Sequence, residues 1–136
     1  MNILFVCKGN RFRSKTAEAM FNRLNKNKKH KAKSAGIIKG RPVAEIVKKC
    51  AKNLGYTIKG SPRGMDIPLL KWQDIIIIVA DNVPASLFND IIIDGKKLNV
   101  SVWKIPDTEV ADKEIIIKIM KRIEKNVIKL LSDLHD

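Results

Sequence analysis

Asn2-Ile3-Leu4-Phe5-Val6-Cys7-Lys8-Gly9-Asn10-Arg11-Phe12-Arg13-Ser14 is the stretch that decides how this chain is read. An apolar run without alternation, stopping at a cysteine and giving way to glycine and asparagine, has the form of a strand buried on both faces, as parallel-sheet strands are. Beyond Ser14, Ala17, Met20, Phe21 and Leu24 recur at helical spacing. The pattern is strand, tight loop, helix, with Cys7 at the strand's end and an arginine six positions later, C-x5-R-S. Each part suits an oxyanion held against a thiolate. Unsatisfied N–H groups of a first helical turn favour an anion. Gly9 lets the backbone approach closely, and asparagine, as at position 10, tolerates a left-handed conformation. Arg13 offers a planar fork that grips two phosphate oxygens, which lysine cannot do. The thiolate is the reactive form of cysteine, and helix N-termini and nearby cations favour it. A Ser14 hydroxyl within reach would donate to it. The chemistry implied is phosphoryl transfer through a cysteine nucleophile.

Working outward, strands are expected at 2–6, 31–35, 74–79 and 98–103. They alternate with helices at 14–26, 42–54 and 113–133 and shorter ones at 67–72 and 84–88. Apolar strands alternating with helices predict an α/β fold, an open four-stranded parallel sheet with helices on both faces. A chain of 136 residues without repeat or linker is expected to be a single domain spanning 1–136. In such sheets ligands bind beyond the carboxyl ends of the strands, where Cys7 stands. Two cysteines, Cys7 and Cys50, are too few for a disulfide framework. Cys50 lies in a helical pattern and reads as a small buried hydrophobe. With no leader sequence or membrane-length apolar run, a cytoplasmic protein with no membrane partner is expected.

The loop resembles that of the low-molecular-weight protein tyrosine phosphatase family, which includes the thioredoxin-coupled arsenate reductases and whose loop reads C-x-G-N-x-x-R-S. Further matches follow in order: Ala17-Glu18-Ala19, Ser34-Ala35-Gly36 at the end of the second strand, Arg41-Pro42-Val43, Ala80-Asp81 after the third strand, and Ile105-Pro106-Asp107 where the family carries its acid. The resemblance implies strand order 2-1-3-4 and a metal-independent, cofactor-free hydrolysis of phosphotyrosine-type phosphomonoesters through a phosphocysteine intermediate. It implies Cys7 as nucleophile, Arg13 and the loop residues Lys8, Gly9, Asn10, Arg11, Phe12 and Ser14 as the phosphate cradle, Asp107 as acid and then base, and Ser34 as support of the loop. Asp81 is expected to cap the short helix that follows it, with fixing of the acid loop as the alternative.

The chain also departs from that pattern. Thr108-Glu109-Val110 follows the acid, where proline and aromatic residues are usual, and Ile37-Ile38-Lys39-Gly40 has no aromatic residue to pack on a tyrosine ring. Phe12, Ile37 or Ile38 would supply apolar contact instead. Phe12 stands where many members have a second cysteine that protects the nucleophile, and Gly60 and Ser61 stand where a supporting histidine is common. Arg11 fills a position at which, in bacterial arginine phosphatases, threonine helps select the substrate. A cation there would repel a phosphoarginine guanidinium and, with Lys8, favour an acidic phosphorylated protein or small phosphomonoester.

Charge is divided unevenly: residues 1–68 carry 17 basic and 3 acidic side chains and residues 69–136 carry 10 and 11. A basic half draws acidic partners by long-range attraction. A net charge of +13 also raises nucleic-acid binding as an alternative. The chain offers one tyrosine and two tryptophans, and Trp72 and Trp103 border apolar strands, so stacking platforms are lacking and that partner is disfavoured. A nucleotide-binding loop would need glycine where Ser14 stands. An arsenate reductase would need further cysteines to carry a disulfide outward, and Cys50 is the sole candidate. His30 and His135, in a basic connection and near the end of the chain, resemble neither catalytic nor metal-binding histidines. The apolar excess of the 113–133 helix leaves room for an interface, so the oligomeric state stays open.

Overall fold

The structure, a computed structural model, describes residues 1–134, so His135 lies outside the described residues. The chain runs β1 (Asn2–Cys7), α1 (Arg13–Leu24), β2 (Lys31–Gly36), α2 (Glu45–Asn53), α3 (Ile67–Trp72) and β3 (Ile75–Val79). A 3₁₀ turn (Ala85–Phe88), β4 (Ile92–Ile93), β5 (Lys96–Lys97), β6 (Val100–Trp103) and α4 (Lys113–Asp133) complete it. The main sheet is four-stranded with order β2-β1-β3-β6, and all its pairings are parallel. Counting main-sheet strands alone, this is the expected 2-1-3-4 order.

Alternate residues of the central strands feed separate hydrophobic layers. Ile3, Phe5, Ile77 and Val79 pack with Met20 and Phe21 of α1, Val47 and Cys50 of α2, and Ile119 and Ile123 of α4. Leu4, Val6, Ile76 and Ile78 pack with Leu69 and Leu70 of α3 and Phe88 of the 3₁₀ turn. Helices thus cover both faces, which explains strands with no polar alternation. Phe5 is held between Phe21 and Trp103, with ring centroids 6.1 and 5.5 Å away. Burial of such a side chain stabilises by about 1.5–3 kcal/mol. Trp72 is part-buried, with the Lys33 ammonium 4.5 Å from its ring centroid.

Several boundaries differ from expectation for identifiable reasons. Helix α1 ends at Leu24 rather than 26 because the Asn25 side chain takes over the backbone. Its amide donates to the carbonyls of Asn27 and His30, and its oxygen accepts from the Asn27 N–H. Residues 42–44 stay outside α2, with Ala44 extended at its N-cap. The last strand begins at Val100 rather than 98, and before it Ile92–Ile93 and Lys96–Lys97 pair as a short antiparallel hairpin. Its turn is Asp94-Gly95, at φ 51° and 77°, a sequence suited to a tight two-residue connection. Helix α4 buries Ile116, Ile119, Met120, Ile123 and Val127 as one stripe and leaves Ile115 and Ile128 exposed. Among the described residues no helix is long and apolar enough to cross a membrane.

Candidate active site

The loop after β1 lies at the carboxyl end of the sheet's central strands, where β1 has β2 on one side and β3 on the other. The segment after β2 fixes its path. N–H groups of Ile37, Ile38 and Gly40 donate to the carbonyls of Cys7, Lys8 and Gly9 at 3.0, 3.1 and 2.9 Å. In a trans peptide the N–H opposes the C=O, so the amides of Lys8, Gly9 and Asn10 are turned the other way. This is how a loop with ordinary residues presents successive N–H donors. The approach is close: a Cβ placed on Gly36 would lie 2.7 Å from the Gly9 carbonyl carbon and 2.8 Å from the Lys8 oxygen.

Behind the loop is a buried hydrogen-bond chain whose donors can be assigned. Asn10 adopts φ 57°, the left-handed conformation its side chain tolerates. Its Oδ1 accepts from the Arg63 backbone N–H at 3.0 Å, which fixes the orientation of the amide. Nδ2 therefore donates to Ser14 Oγ and to Ser34 Oγ, each at 2.9 Å. Ser34 in turn donates a hydrogen bond to Glu18. Ser14 Oγ, an acceptor from Asn10, lies 2.9 Å from Cys7 Sγ, and once Cys7 is ionised the hydroxyl is the one possible donor of that bond. A hydroxyl donating to the sulfur favours the thiolate. Asn10, Ser14 and Ser34 are all fully or almost fully buried, as is Cys7.

Arg13, at the start of α1, is 1% exposed. Its Nη1 donates to the Ile105 carbonyl at 2.9 Å and its Nη2 to Asn82 Oδ1 at 3.0 Å. Asp81 lies 3.7 Å and Asp107 3.5 Å from the guanidinium, both with about half of the side chain exposed. A buried guanidinium without such partners would carry a large desolvation penalty. Asp107 Oδ1 also accepts from the Thr108 N–H at 2.8 Å, leaving Oδ2 towards Arg13.

Cys7, Lys8, Gly9, Arg11, Phe12, Arg13 and Asp107 all line one cleft of about 680 Å³. Ser14, Asn10 and Ser34 stand behind it. Phe12 is buried in the core cluster and forms a wall of the cleft. Arg11 is exposed, with its guanidinium on the carbonyls of Arg41 and Pro42 at 3.1–3.4 Å. Ile38, Ile46, Val47, Val110 and Ile116 supply aliphatic wall, and Arg41, Thr108 and Glu109 polar lining. Ile37 packs in the layer beneath the opposite face instead.

The capping role expected for Asp81 is corrected. The 3₁₀ turn after β3 has Pro84 at its N-cap and no side-chain cap bond. Asp81 instead pairs with Arg13, and its N–H donates to the Ile105 carbonyl at 2.9 Å, tying β3 to the acid loop. Asn82 and Arg63 were missed by the sequence reading. Asn82 follows β3 directly, so its place beyond a strand's carboxyl end was the available signal. Arg63 acts mainly through its backbone, which no side-chain pattern reveals. Cys50 is 1% exposed, as expected of a buried hydrophobe, and belongs to a different hydrophobic cluster from Cys7.

Comparison with known proteins agrees with this geometry. The family model described as Low molecular weight phosphotyrosine protein phosphatase matches residues 2–136. An arsenate reductase from Archaeoglobus fulgidus is similar at 29% identity and TM-score 0.74, with 96% of this chain and 98% of that one covered. A low molecular weight protein tyrosine phosphatase from T. tengcongensis is similar at 26% identity and TM-score 0.84, covering 98% and 99%. An arginine phosphatase from Geobacillus stearothermophilus shares the fold at 20% identity and TM-score 0.78, covering 98% and 92%. No curated protein matches by sequence.

Proposed function

The chain belongs to the low molecular weight phosphotyrosine protein phosphatase family, and from that premise we propose that it is a metal-independent cysteine phosphatase acting on phosphotyrosine-type phosphomonoesters. The observation that carries the reading is the meeting of Cys7, Arg13 and Asp107 in one cleft, with the Cys7 sulfur hydrogen-bonded by Ser14.

The Cys7 thiolate attacks phosphorus while the bond to the ester oxygen breaks, and Asp107 in its acid form gives that oxygen a proton. The amides of Lys8, Gly9 and Asn10 and the Arg13 guanidinium take up charge on the equatorial oxygens. A water then attacks the phosphocysteine and gives a proton to the Asp107 carboxylate. The S–P bond breaks and thiolate and phosphate are restored. Arg13 leaves its contacts with Asp107 and Asp81 for the phosphate, which frees Asp107 to hold a proton. Ser14 stabilises the sulfur when it attacks and when it departs.

Lys8, Arg11 and Arg41 line the cleft, against the carboxylates Asp107 and Glu109. We read this as a preference for acidic substrates, held against Phe12 and aliphatic walls. Arg11→Ala should remove the advantage of acidic over neutral phosphopeptides; an unchanged ranking would refute the preference.

The deciding test is hydrolysis of p-nitrophenyl phosphate without added metal, from about pH 4 to about pH 9, in wild type and Cys7→Ser. Metal-independent turnover that the substitution abolishes supports the phosphatase. Arsenate reduction is the second reading, favoured by the similarity to the Archaeoglobus protein. Its weakness is the placement of Cys50, since a disulfide with Cys7 would require the core to open. Thiol-dependent arsenate turnover lost in Cys50→Ser, with no p-nitrophenyl phosphate hydrolysis, would establish it instead.

A further inference from the structure

Apart from the cleft that holds Cys7, the molecule has a second cavity, of about 400 Å³, between α1 and the segment after α2. This is within the size range of small-molecule sites. Lys15, Asn22 and Arg23 line it from α1 and Lys59 from the other wall, with Glu18 as its carboxylate. The Lys15 side chain is 7% exposed. Its ammonium donates to the Lys59 carbonyl at 3.0 Å and lies 3.9 Å from Glu18, a contact too long to count as a hydrogen bond. A buried ammonium has three donors to satisfy. Gly60, at φ 78°, keeps the space beside it open, as a Cβ there would stand 3.4 Å from the Lys15 nitrogen. Among the described residues Arg23 and Lys59 make no ion pair through their side chains.

We propose that this cavity is a second anion site, which takes a small phosphate-bearing molecule on Lys15, Arg23 and Lys59. Three cations facing one carboxylate in a partly enclosed space attract a multiply charged anion more strongly than the open surface does. The site also touches the hydrogen-bond chain of the loop. Lys15 pairs with Glu18, which accepts from Ser34, and Ser34 is held by Asn10 behind Cys7. An anion that draws on Lys15 changes the charge at the far end of that chain.

The test is a titration of isotope-labelled protein with inorganic pyrophosphate, following backbone amides by nuclear magnetic resonance. Amides of Gly55, Thr57 and Lys59 should saturate on an isotherm of their own, separate from that of Gly9 and Asn10. Arg23→Ala and Lys59→Ala should each weaken the first isotherm about fivefold or more and leave the second and the anion-free turnover unchanged. The proposal is overturned if the amides at 55–59 do not move, move only in step with the loop, or saturate in both variants as they do in wild type. A protein without phosphatase activity would defeat the functional reading above and leave these isotherms to be judged separately.

Discussion

The two sides of the cleft are built in different ways. On one side Asn10, Ser14 and Ser34 lie in the interior, with the Asn10 amide donating to both serines. On the other, Asp107 is about half exposed on a segment after β6, held by Arg13 and by the N–H of the following residue. In the proposed mechanism the buried side fixes where the sulfur and the phosphate sit, and the exposed side carries the group that exchanges protons with water. A cradle that has to keep its shape is best placed in the core, where removing a hydrogen-bond partner is costly, and a proton donor is best placed where water reaches it. The expectation is that changes on the buried side disturb stability and activity together, whereas changes on the exposed side disturb activity alone.

Four substitutions can break or sharpen that contrast. Asp107→Asn should lower p-nitrophenyl phosphate turnover by about 10²–10³-fold and flatten one limb of the pH profile. Its urea midpoint should move little, and a large loss of stability would show that the two sides are not distinct. Asn10→Ala removes both amide donors and the acceptor for Arg63, and places alanine at φ 57°. It should cost about 2–3 kcal/mol in urea unfolding together with a drop in turnover. Gly36→Ala meets backbone on the loop side, so a cost of about 1–3 kcal/mol with weakened phosphate inhibition is expected. Wild-type stability with altered turnover would mean that the loop yields more readily than its contacts imply.

The smallest effect is expected far from the cleft, as a reference for both sides. Burial, reinforced by a hydrogen bond to Glu124 from α4 and despite nearby Arg23, pushes Tyr56 from an ordinary 10.0 up to about 12. The folded state therefore keeps a proton that the unfolded state releases first. The stabilisation from neutral Tyr56 is full below about pH 10 and is lost as pH rises towards 12. Tyr56→Phe should cost about 1 kcal/mol at pH 8, with the gap from wild type narrowing between pH 10 and 11 in urea titrations. Turnover at neutral pH should be unchanged.

Much of this arrangement was legible in the chain because local patterns carried it. The apolar runs at 2–6 and 75–79 marked strands buried on both faces, and the C-x5-R-S spacing placed cysteine and arginine at opposite ends of one loop. Asp94-Gly95 is an equally local turn signal, but the strands it joins are two residues each and one of them is Lys96-Lys97, too short and too polar to read as a strand. Asp81 was misread since an aspartate after a strand has the same local signature whether it caps a turn or meets an arginine from another element.

The sequence by itself determined the kind of fold, the composition of the loop and the family, because each depends on residues close together in the chain or on the order of short motifs. Only the tertiary structure decided that Asn82 and the Ile105 carbonyl hold Arg13, that the Arg63 backbone orients Asn10, and that Glu18 accepts the Ser34 hydrogen bond. These contacts join residues up to 92 positions apart. Their partners are often backbone groups, which every residue possesses, so no side-chain identity announces them and the parallel sheet alone brings them together.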